Sequence, residues 1–271
     1  MKLYFIRHGQ PIYDPDSLTP LGEEQAKALS KWFLHRPPNK IYASSSNRAV
    51  QTAMPTCKLL GLEPILCDWA HESLAFEDFH ALDSEGNKQW ILEVPSTIRQ
   101  FISPEVNALG DQWYTHPYFA DTGYAAGVQR VNGAVDAFLE ELGLRHDREN
   151  HCYHIVGDTP NRVALFAHYG AGLAILSSIM DIPYNVFCPR FNFALTGVTE
   201  GGYKTHIEKR IFLTDRNEYL VPVGEQVVKI QTPHRVHFAE GEACCVKFLE
   251  PMWYPADDGK ADQERARRQL V

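Results

Sequence analysis

The 271-residue sequence lacks several features that mark whole classes of protein. No apolar run approaches ~18 uncharged residues, so we expect no membrane-spanning helix. The N-terminal segment meets a charged residue too early to form the apolar stretch of a secretory signal. The six cysteines form no C-x-x-C pair, and the adjacent Cys244 and Cys245 could form a disulfide only with strain. Scattered cysteines favour a reducing, cytoplasmic location over a disulfide framework.

Motifs of several common active sites are also missing. There is no P-loop, no G-x-S-x-G and no zinc-binding spacing, and the run Gly170-x-Gly172 lacks the third glycine of a dinucleotide loop. Two histidine pairs lie in predicted strands, where residues three apart face opposite sides of the sheet. These pairs are His151/His154 and His234/His237. We therefore expect neither a metal ion nor an organic cofactor.

The charge is acidic overall and unevenly distributed. The net charge is -8, with +4 in residues 1–60, -12 in residues 61–160 and zero in residues 161–271. Because no long basic stripe is present, nucleic acid is not an expected partner. The apolar fraction of 44% and the charged fraction of 22% are those of an ordinary globular protein with a full core.

The order of short apolar runs and amphipathic segments predicts an α/β fold. Strands at Lys2–Ile6, Ile41–Ala43 and Ile65–Cys67 alternate with helices that begin near Pro20 and Arg48. This order predicts a three-layer α/β/α sandwich, with a mostly parallel sheet and helices on both faces. We expect a single domain over residues 1–271. It would carry a cap insertion of one or two helices at about 73–123 and a charged C-terminal tail at about 256–271.

Charged and polar side chains follow three of the predicted strands. Arg7 and His8 end the first strand, Arg48 follows the second, and His168 ends the strand Arg162–Ala167. Because the carboxyl ends of parallel strands form the ligand crevice of an α/β sheet, these four side chains can converge. Two arginines, two histidines and nearby helix N-termini are suited to a small multiply charged anion, with phosphate as the leading candidate.

Four ordered segments resemble motifs of the histidine phosphatase (phosphoglycerate mutase-like) superfamily, of the branch 1 type. Arg7-His8-Gly9-Gln10 resembles the R-H-G-[EQ] signature, and Leu18–Ala26 resembles the L-T-x-x-G-x-x-Q-A helix start. Ser44–Ala53 resembles the S-x-x-x-R-A-x-Q-T-A segment, and a strand that ends at His168 before a glycine resembles the second histidine motif. Together the resemblance covers about residues 1–75 and 160–215.

The resemblance implies roles for the matching residues. His8 would be the nucleophile that takes the phosphoryl group, and Arg7, Arg48 and His168 would stabilise the charge of its oxygens. Further candidates for phosphate contacts are Gln10, Ser44 and Tyr169. Ser44 can alternatively cap the helix that carries Arg48.

The family also uses an acidic residue after the third strand as the proton donor. Glu72 fits this position, with Glu77 and Asp78 as alternatives. An asparagine that often touches phosphate in the family is replaced by Asp14, to which we assign no binding role.

The composition of the cap favours a phosphatase over a mutase. Residues 73–130 contain three Lys or Arg against eight Asp or Glu, a balance of -5. A mutase must hold a carboxylate and a second phosphate there, which this charge disfavours. We expect a metal-independent phosphomonoesterase that acts through a phosphohistidine intermediate. Its substrate would be a small phosphorylated metabolite, and its reaction would release inorganic phosphate. Mutase-type transfer and a non-catalytic phosphate-binding member remain the alternatives, and homodimer formation is left open.

Overall fold

The computed structural model describes residues 1–197 in full. Beyond them it describes the backbone of strands at 198–199, 202–206, 209–212, 216–223, 226–233 and 243–247. The chain forms two compact units, Met1–Thr199 and Glu200–Val271. A single domain over residues 1–271 stays a prediction. The tail at 256–271 and the pair His234/His237 lie outside the described residues.

The first unit alternates strands and helices. Its strands are β1 (Lys2–Arg7), β2 (Pro11–Ile12), β3 (Ser17–Leu18), β4 (Lys40–Ser44), β5 (Pro64–Cys67), β6 (His80–Leu82), β7 (Lys88–Trp90), β8 (Leu144–Asp147), β9 (Cys152–Ile155), β10 (Arg162–Ala167) and β11 (Val198–Thr199). Its α-helices are α1 (Pro20–Phe33), α2 (Asn47–Leu60), α3 (Glu72–Asp78), α4 (Pro95–Phe101), α5 (Pro104–Asn107), α6 (Tyr124–Glu141), α7 (Tyr169–Ile179) and α8 (Tyr184–Phe187). In the part of the chain that the structure describes, no helix is both long and apolar enough to cross a bilayer.

The central sheet confirms the predicted α/β fold. Its strand order is β11-β1-β10-β4-β5, in which β1, β10, β4 and β5 are parallel and β11 is antiparallel. Side chains alternate between the two faces, so that Tyr4 and Ile6 pack on one side and Phe5 on the other. Both faces are apolar because helices cover both of them, as expected for a parallel sheet.

Each face of the sheet has its own core. On one face, Leu29 and Phe33 of α1 and Ala53 of α2 pack against the strands. On the other face, α6 and α7 contribute apolar side chains such as Val135 and Leu173. The three layers place the N-termini of α2 and α7 at the carboxyl ends of β4 and β10.

The cap insertion is more irregular than the sequence predicts. It contains the three short helices α3, α4 and α5, the β6–β7 hairpin, and 3-10 turns. The prolines explain this, because Pro95, Pro104 and Pro117 each occupy the start of a new short helix, where no backbone N–H is needed. Buried Phe101 and Trp113 belong to the same core as the sheet, so the cap is part of the first unit.

The loop after β1 lies against the N-terminus of α1. A Cβ at Gly22 would lie 2.3 Å from the Gln10 carbonyl oxygen, and one at Gly9 would lie 2.7 Å from the Gly22 carbonyl oxygen. Only glycine fits this close approach of two backbones. The two glycines of the sequence motifs therefore allow the loop that carries His8 to pack against the start of α1.

The second unit is described by its strands alone. They are β12 (Gly202–His206), β13 (Lys209–Phe212), β14 (Arg216–Val223), β15 (Gln226–Pro233) and β16 (Ala243–Lys247). β12 pairs antiparallel with β16, and β13-β14-β15 form an antiparallel sheet.

Candidate active site

The carboxyl ends of β1, β4 and β10 bring the predicted site residues together. The rings of His8 and His168 lie 5.2 Å apart between centroids, and both side chains are buried. Desolvation lowers the pKa of both histidines, and the positive charges of Arg48 and Arg7 lower it further. The side chains that the sequence predicts to converge therefore do so.

His8 is held as a neutral imidazole with one free nitrogen. Its Nδ1 lies 2.7 Å from the carbonyl oxygen of Gly9. Because a carbonyl oxygen only accepts hydrogen bonds, Nδ1 carries the proton and Nε2 keeps its lone pair. Desolvation, aided by the charges of Arg48 and Arg7, lowers the pKa of His8 to about 4. At neutral pH the ring is therefore an oriented, uncharged nucleophile.

His168 is also neutral, and it contacts Ser44. Desolvation and the charge of Arg48 lower the pKa of His168 to about 2. Its Nε2 lies 2.8 Å from the Ser44 hydroxyl, while its buried Nδ1 has no hydrogen-bond partner in the protein. Ser44 does not cap α2, because the N-cap is Ser46. If Ser44 donates to Nε2, the His168 proton resides on Nδ1 and can be donated to a ligand.

Arg7 is clamped at one end of its guanidinium group. Its Nη1 donates to the Phe193 carbonyl oxygen at 2.9 Å, and the group lies 5.1 Å from the centre of the Tyr169 ring. The sequence predicts a phosphate contact for Tyr169, and the structure places its ring beside Arg7. The buried Nε of Arg7 has no hydrogen-bond partner in the protein.

Arg48, in the first turn of α2, is almost fully buried. Its Nη1 donates to a carboxylate oxygen of Asp16 at 2.6 Å, and its buried Nε has no partner. Together with Arg7 Nε and His168 Nδ1, three buried nitrogen atoms thus lack partners at one site. Buried polar groups are nearly always satisfied, so this arrangement indicates a site for an anion.

Glu72, the first residue of α3, lies on the N-terminus of α7. Its two carboxylate oxygens accept hydrogen bonds from Gly170 N at 3.0 Å and Ala171 N at 2.8 Å. Desolvation raises the pKa of Glu72, although these amides and the two arginines oppose the rise. A carboxyl group with a raised pKa beside two arginines is suited to donate a proton.

The alternative acids are engaged elsewhere. Glu77 is exposed and accepts from Lys88 Nζ at 2.7 Å, and Asp78 accepts from Arg130 Nε at 2.6 Å. These contacts favour Glu72 as the acid. They also pair two of the three cations of residues 73–130, Lys88 and Arg130, with carboxylates.

Gln10 braces the loop that carries His8. Its side-chain oxygen accepts from the Thr19 hydroxyl at 2.9 Å, and its backbone N–H donates to Gln25 at 2.8 Å. Thr52 adds a second brace, because its hydroxyl accepts from Gly9 N at 3.0 Å and donates to the Arg48 carbonyl oxygen at 2.7 Å. In the structure, the hydrogen bonds of Gln10 and Thr52 therefore fix the position of the loop that carries His8. For Gln10, direct contact with phosphate stays a prediction.

Three residues near the site were not singled out by the sequence. Asp16 reaches Arg48 from the loop between β2 and β3, and the His71 ring lies 6.0 Å from that of His168. Trp90 of the cap packs so closely on Gly170 that a Cβ there would lie 2.3 Å from its ring. The only sequence signal for His71 is its place beside Glu72. Asp14, in contrast, is exposed.

Potential metal ligands cluster outside this site. Within the described residues, the side chains of Asp147, Cys152 and His154 on the β8–β9 hairpin have ligand atoms within 4.8 Å of one another. Asn150 already donates to both carboxylate oxygens of Asp147. His151 instead contacts Asp181 at 2.8 Å, so His151 and His154 do not converge.

The family match decides which group of proteins this geometry belongs to. The model described as "Histidine phosphatase superfamily (branch 1)" matches residues 3–210, which include His8, Arg48, Glu72 and His168. The chain belongs to the histidine phosphatase superfamily.

Two kinds of relative illustrate the family. The "Putative phosphoserine phosphatase 2" of Hydrogenobacter thermophilus is 26% identical over 155 residues, covering 54% of this chain and 68% of that protein. A solved mycobacterial glucosyl-3-phosphoglycerate phosphatase is 17% identical, covers 85% of this chain and 96% of its own, and has a TM-score of 0.45. A solved phosphoserine phosphatase of Entamoeba histolytica is 15% identical, covers 73% and 88%, and has a TM-score of 0.43. The family description and the names of these relatives are those of phosphatases.

The two buried histidines make a prediction about acid stability. The pKa of His8 is about 4 in the folded protein, below the ordinary value of 6.5, so the unfolded chain binds the proton first as pH falls. The free energy of unfolding should therefore decrease from about pH 7.5 to pH 5, by about 2 kcal/mol from His8 alone. His168 acts in the same direction, and Glu72, with its raised pKa, acts in the opposite one.

Urea denaturation of the wild-type protein and of His8→Gln at both pH values measures this contribution. Stability should depend less steeply on pH in His8→Gln. Equal pH dependence in the two proteins would contradict a lowered pKa for His8.

Proposed function

We propose that this protein is a metal-independent phosphomonoesterase that acts through a phosphohistidine on His8. The observation that carries the proposal is the oriented His8 ring, 5.2 Å between centroids from the His168 ring, together with a buried nitrogen without a hydrogen-bond partner on each of Arg7, Arg48 and His168. A phosphoryl group held by those nitrogens would present its phosphorus to the free lone pair. Arginine side chains stabilise the charge on its oxygens, so the chemistry requires no metal ion.

The reaction runs in two displacements. In the first, His8 Nε2 attacks phosphorus, the P–N bond forms, the P–O bond to the alcohol breaks, and Glu72 gives its proton to the leaving oxygen. In the second, Glu72 takes a proton from water as the water oxygen attacks phosphorus. The P–N bond then breaks and inorganic phosphate is released. His8 returns to its neutral form and Glu72 to its protonated form.

The cap supports a substrate whose leaving group is neutral or cationic. Residues 73–130, which include the cap and the start of α6, have a net charge of -5, and two of their three cations are paired with carboxylates. A phosphorylated acid or a bisphosphate would meet repulsion there. Aromatic side chains, including Trp90 and Tyr169, lie beside the site and offer an apolar surface to the leaving group.

A phosphatase screen in the presence of a chelator tests this function. The panel contains sugar phosphates, nucleotides, phosphoamino acids, lipid-like phosphates and phosphoglycerates. L-Phosphoserine is included because the Hydrogenobacter relative carries that name. We expect phosphate release that the chelator does not reduce, fastest with monophosphates that lack further acidic groups. Highest rates with bisphosphates, or transfer between positions of phosphoglycerate, would favour the mutase alternative. Phosphate binding without turnover would favour a non-catalytic member.

A further inference from the structure

Asp16 is built into the phosphate site as a fixed carboxylate. One of its oxygens accepts from Arg48 Nη1 at 2.6 Å, and the other accepts from the backbone N–H of Asn47 at 2.7 Å. The Asn47 side chain also donates to the backbone oxygen of Asp16 at 2.7 Å. Three hydrogen bonds from the first turn of α2 therefore fix a residue of the β2–β3 loop, and 32% of the Asp16 side chain remains exposed.

Asp16 is ionised at neutral pH. Desolvation alone would raise its pKa, but the hydrogen bond and charge of Arg48, with the backbone N–H groups of Asn47 and Arg48, lower it below the ordinary value. His8 and His168 are neutral, so Arg7 and Arg48 supply two positive charges and Asp16 removes one of them. The site therefore offers a net charge of only +1 to a phosphate dianion from these five side chains.

Asp16 also occupies one of the hydrogen-bond donors of Arg48. Its carboxylate takes Nη1, while Nε remains without a partner in the protein. A bound phosphate can therefore reach Arg48 only through the donors that Asp16 leaves free. Both effects weaken the binding of a phosphoryl dianion, in the product phosphate as well as in the substrate.

We propose that Asp16 is a positioning and charge-balancing residue that limits the affinity of the site for inorganic phosphate and so speeds product release. Asp16 orients Arg48 through the hydrogen bond, and its charge repels the dianion after hydrolysis. This inference rests on the proposed function for its kinetic consequence. Its binding consequence can be measured on the protein without turnover.

Calorimetric titration with inorganic phosphate compares the wild-type protein with Asp16→Asn and Asp14→Ala. The Asp14 variant is the control, because it removes the same charge from an exposed position in the same loop without adding an amide group. We expect the phosphate Kd of Asp16→Asn to fall roughly tenfold at low ionic strength, and the gain to shrink in high salt. Asp14→Ala should stay within about twofold of wild type.

Kinetics on the same variants separate the balancing role from mere structural support. We expect Asp16→Asn to show stronger inhibition by phosphate and a lower kcat, with KM reduced rather than raised. Asp16→Glu should restore values toward wild type, and Asp16→Ala gives a second charge-removing variant if the asparagine variant folds poorly.

Unchanged or weaker phosphate binding in folded Asp16→Asn or Asp16→Ala would overturn the inference. If the wild-type protein still hydrolyses the substrate in that case, the proposed function stands. Tighter binding without wild-type turnover would overturn the function and keep the inference, and absence of wild-type phosphate binding would overturn both.

Discussion

Replacement of His8 by glutamine is expected to lower kcat/KM for phosphomonoester hydrolysis by at least ~10³-fold. In the proposed mechanism Nε2 of His8 forms the bond to phosphorus, and an amide cannot replace it as a nucleophile. The site would otherwise persist, since Arg7, Arg48 and His168 are held by contacts that do not involve the His8 ring. Phosphate release from a simple monoester, followed by a colorimetric assay, measures the effect.

The matched control for this variant is His35→Gln. His35 is exposed in the segment that follows α1, so its replacement should leave activity within about twofold of wild type. Activity of His8→Gln within tenfold of wild type would mean that the nucleophile is another residue or a water molecule.

Replacement of Glu72 by glutamine is expected to lower kcat by about 10²–10³-fold for alkyl phosphates. The alkoxide leaving group needs a proton in the transition state, and glutamine cannot supply one. The loss should be much smaller for p-nitrophenyl phosphate, because its phenolate leaves without protonation. Comparing kcat for the two substrates in wild type and Glu72→Gln therefore isolates the role of the acid.

Glu77→Gln and Asp78→Asn test the alternative acids directly. The carboxylates of Glu77 and Asp78 pair with Lys88 and Arg130, so neither variant should change the ratio of rates for the two substrates. If either of them shows the substrate-dependent loss, and Glu72→Gln does not, the proton donor has been misassigned.

The parts of the fold that local sequence determines were predicted well. Short apolar runs with polar ends predicted β1, β4, β5 and β10, and the structure assembles these strands into the expected parallel sheet. The convergence of Arg7, His8, Arg48 and His168 followed from the same pattern, because the topology of a parallel sheet brings its strand ends to one edge. The catalytic roles of these residues stay predictions until they are tested.

Contacts between segments distant in sequence could not be predicted in the same way. Asp16 precedes Arg48 by 32 residues, and their ion pair depends on how the β2–β3 loop folds over the start of α2. The hydrogen bonds from the first backbone N–H groups of α7 to the Glu72 carboxylate likewise join residues that are 98 and 99 positions apart. No periodicity in the sequence indicates such pairs.

The cap shows a different limit of sequence interpretation. Its prolines mark helix starts, but the packing of its aromatic side chains decides how short each helix is. Phe101, for example, makes edge contacts with Trp113 and Phe119 at 5.0 and 5.5 Å between ring centroids. Such an aromatic core stabilises short turns that have little helical propensity of their own. The sequence therefore did not predict the internal structure of the insertion.

Trapping of the phosphoenzyme is the most direct test of the central claim. Wild-type protein is mixed with a ³²P-labelled substrate identified in the screen, quenched in alkali within the first turnover, and digested for mass spectrometry of the peptide that contains His8. We predict label that is stable in base and labile in acid, located on His8 and absent from His8→Gln. Hydrolysis that proceeds in the wild-type protein without any such label, or label on another residue, would contradict the account.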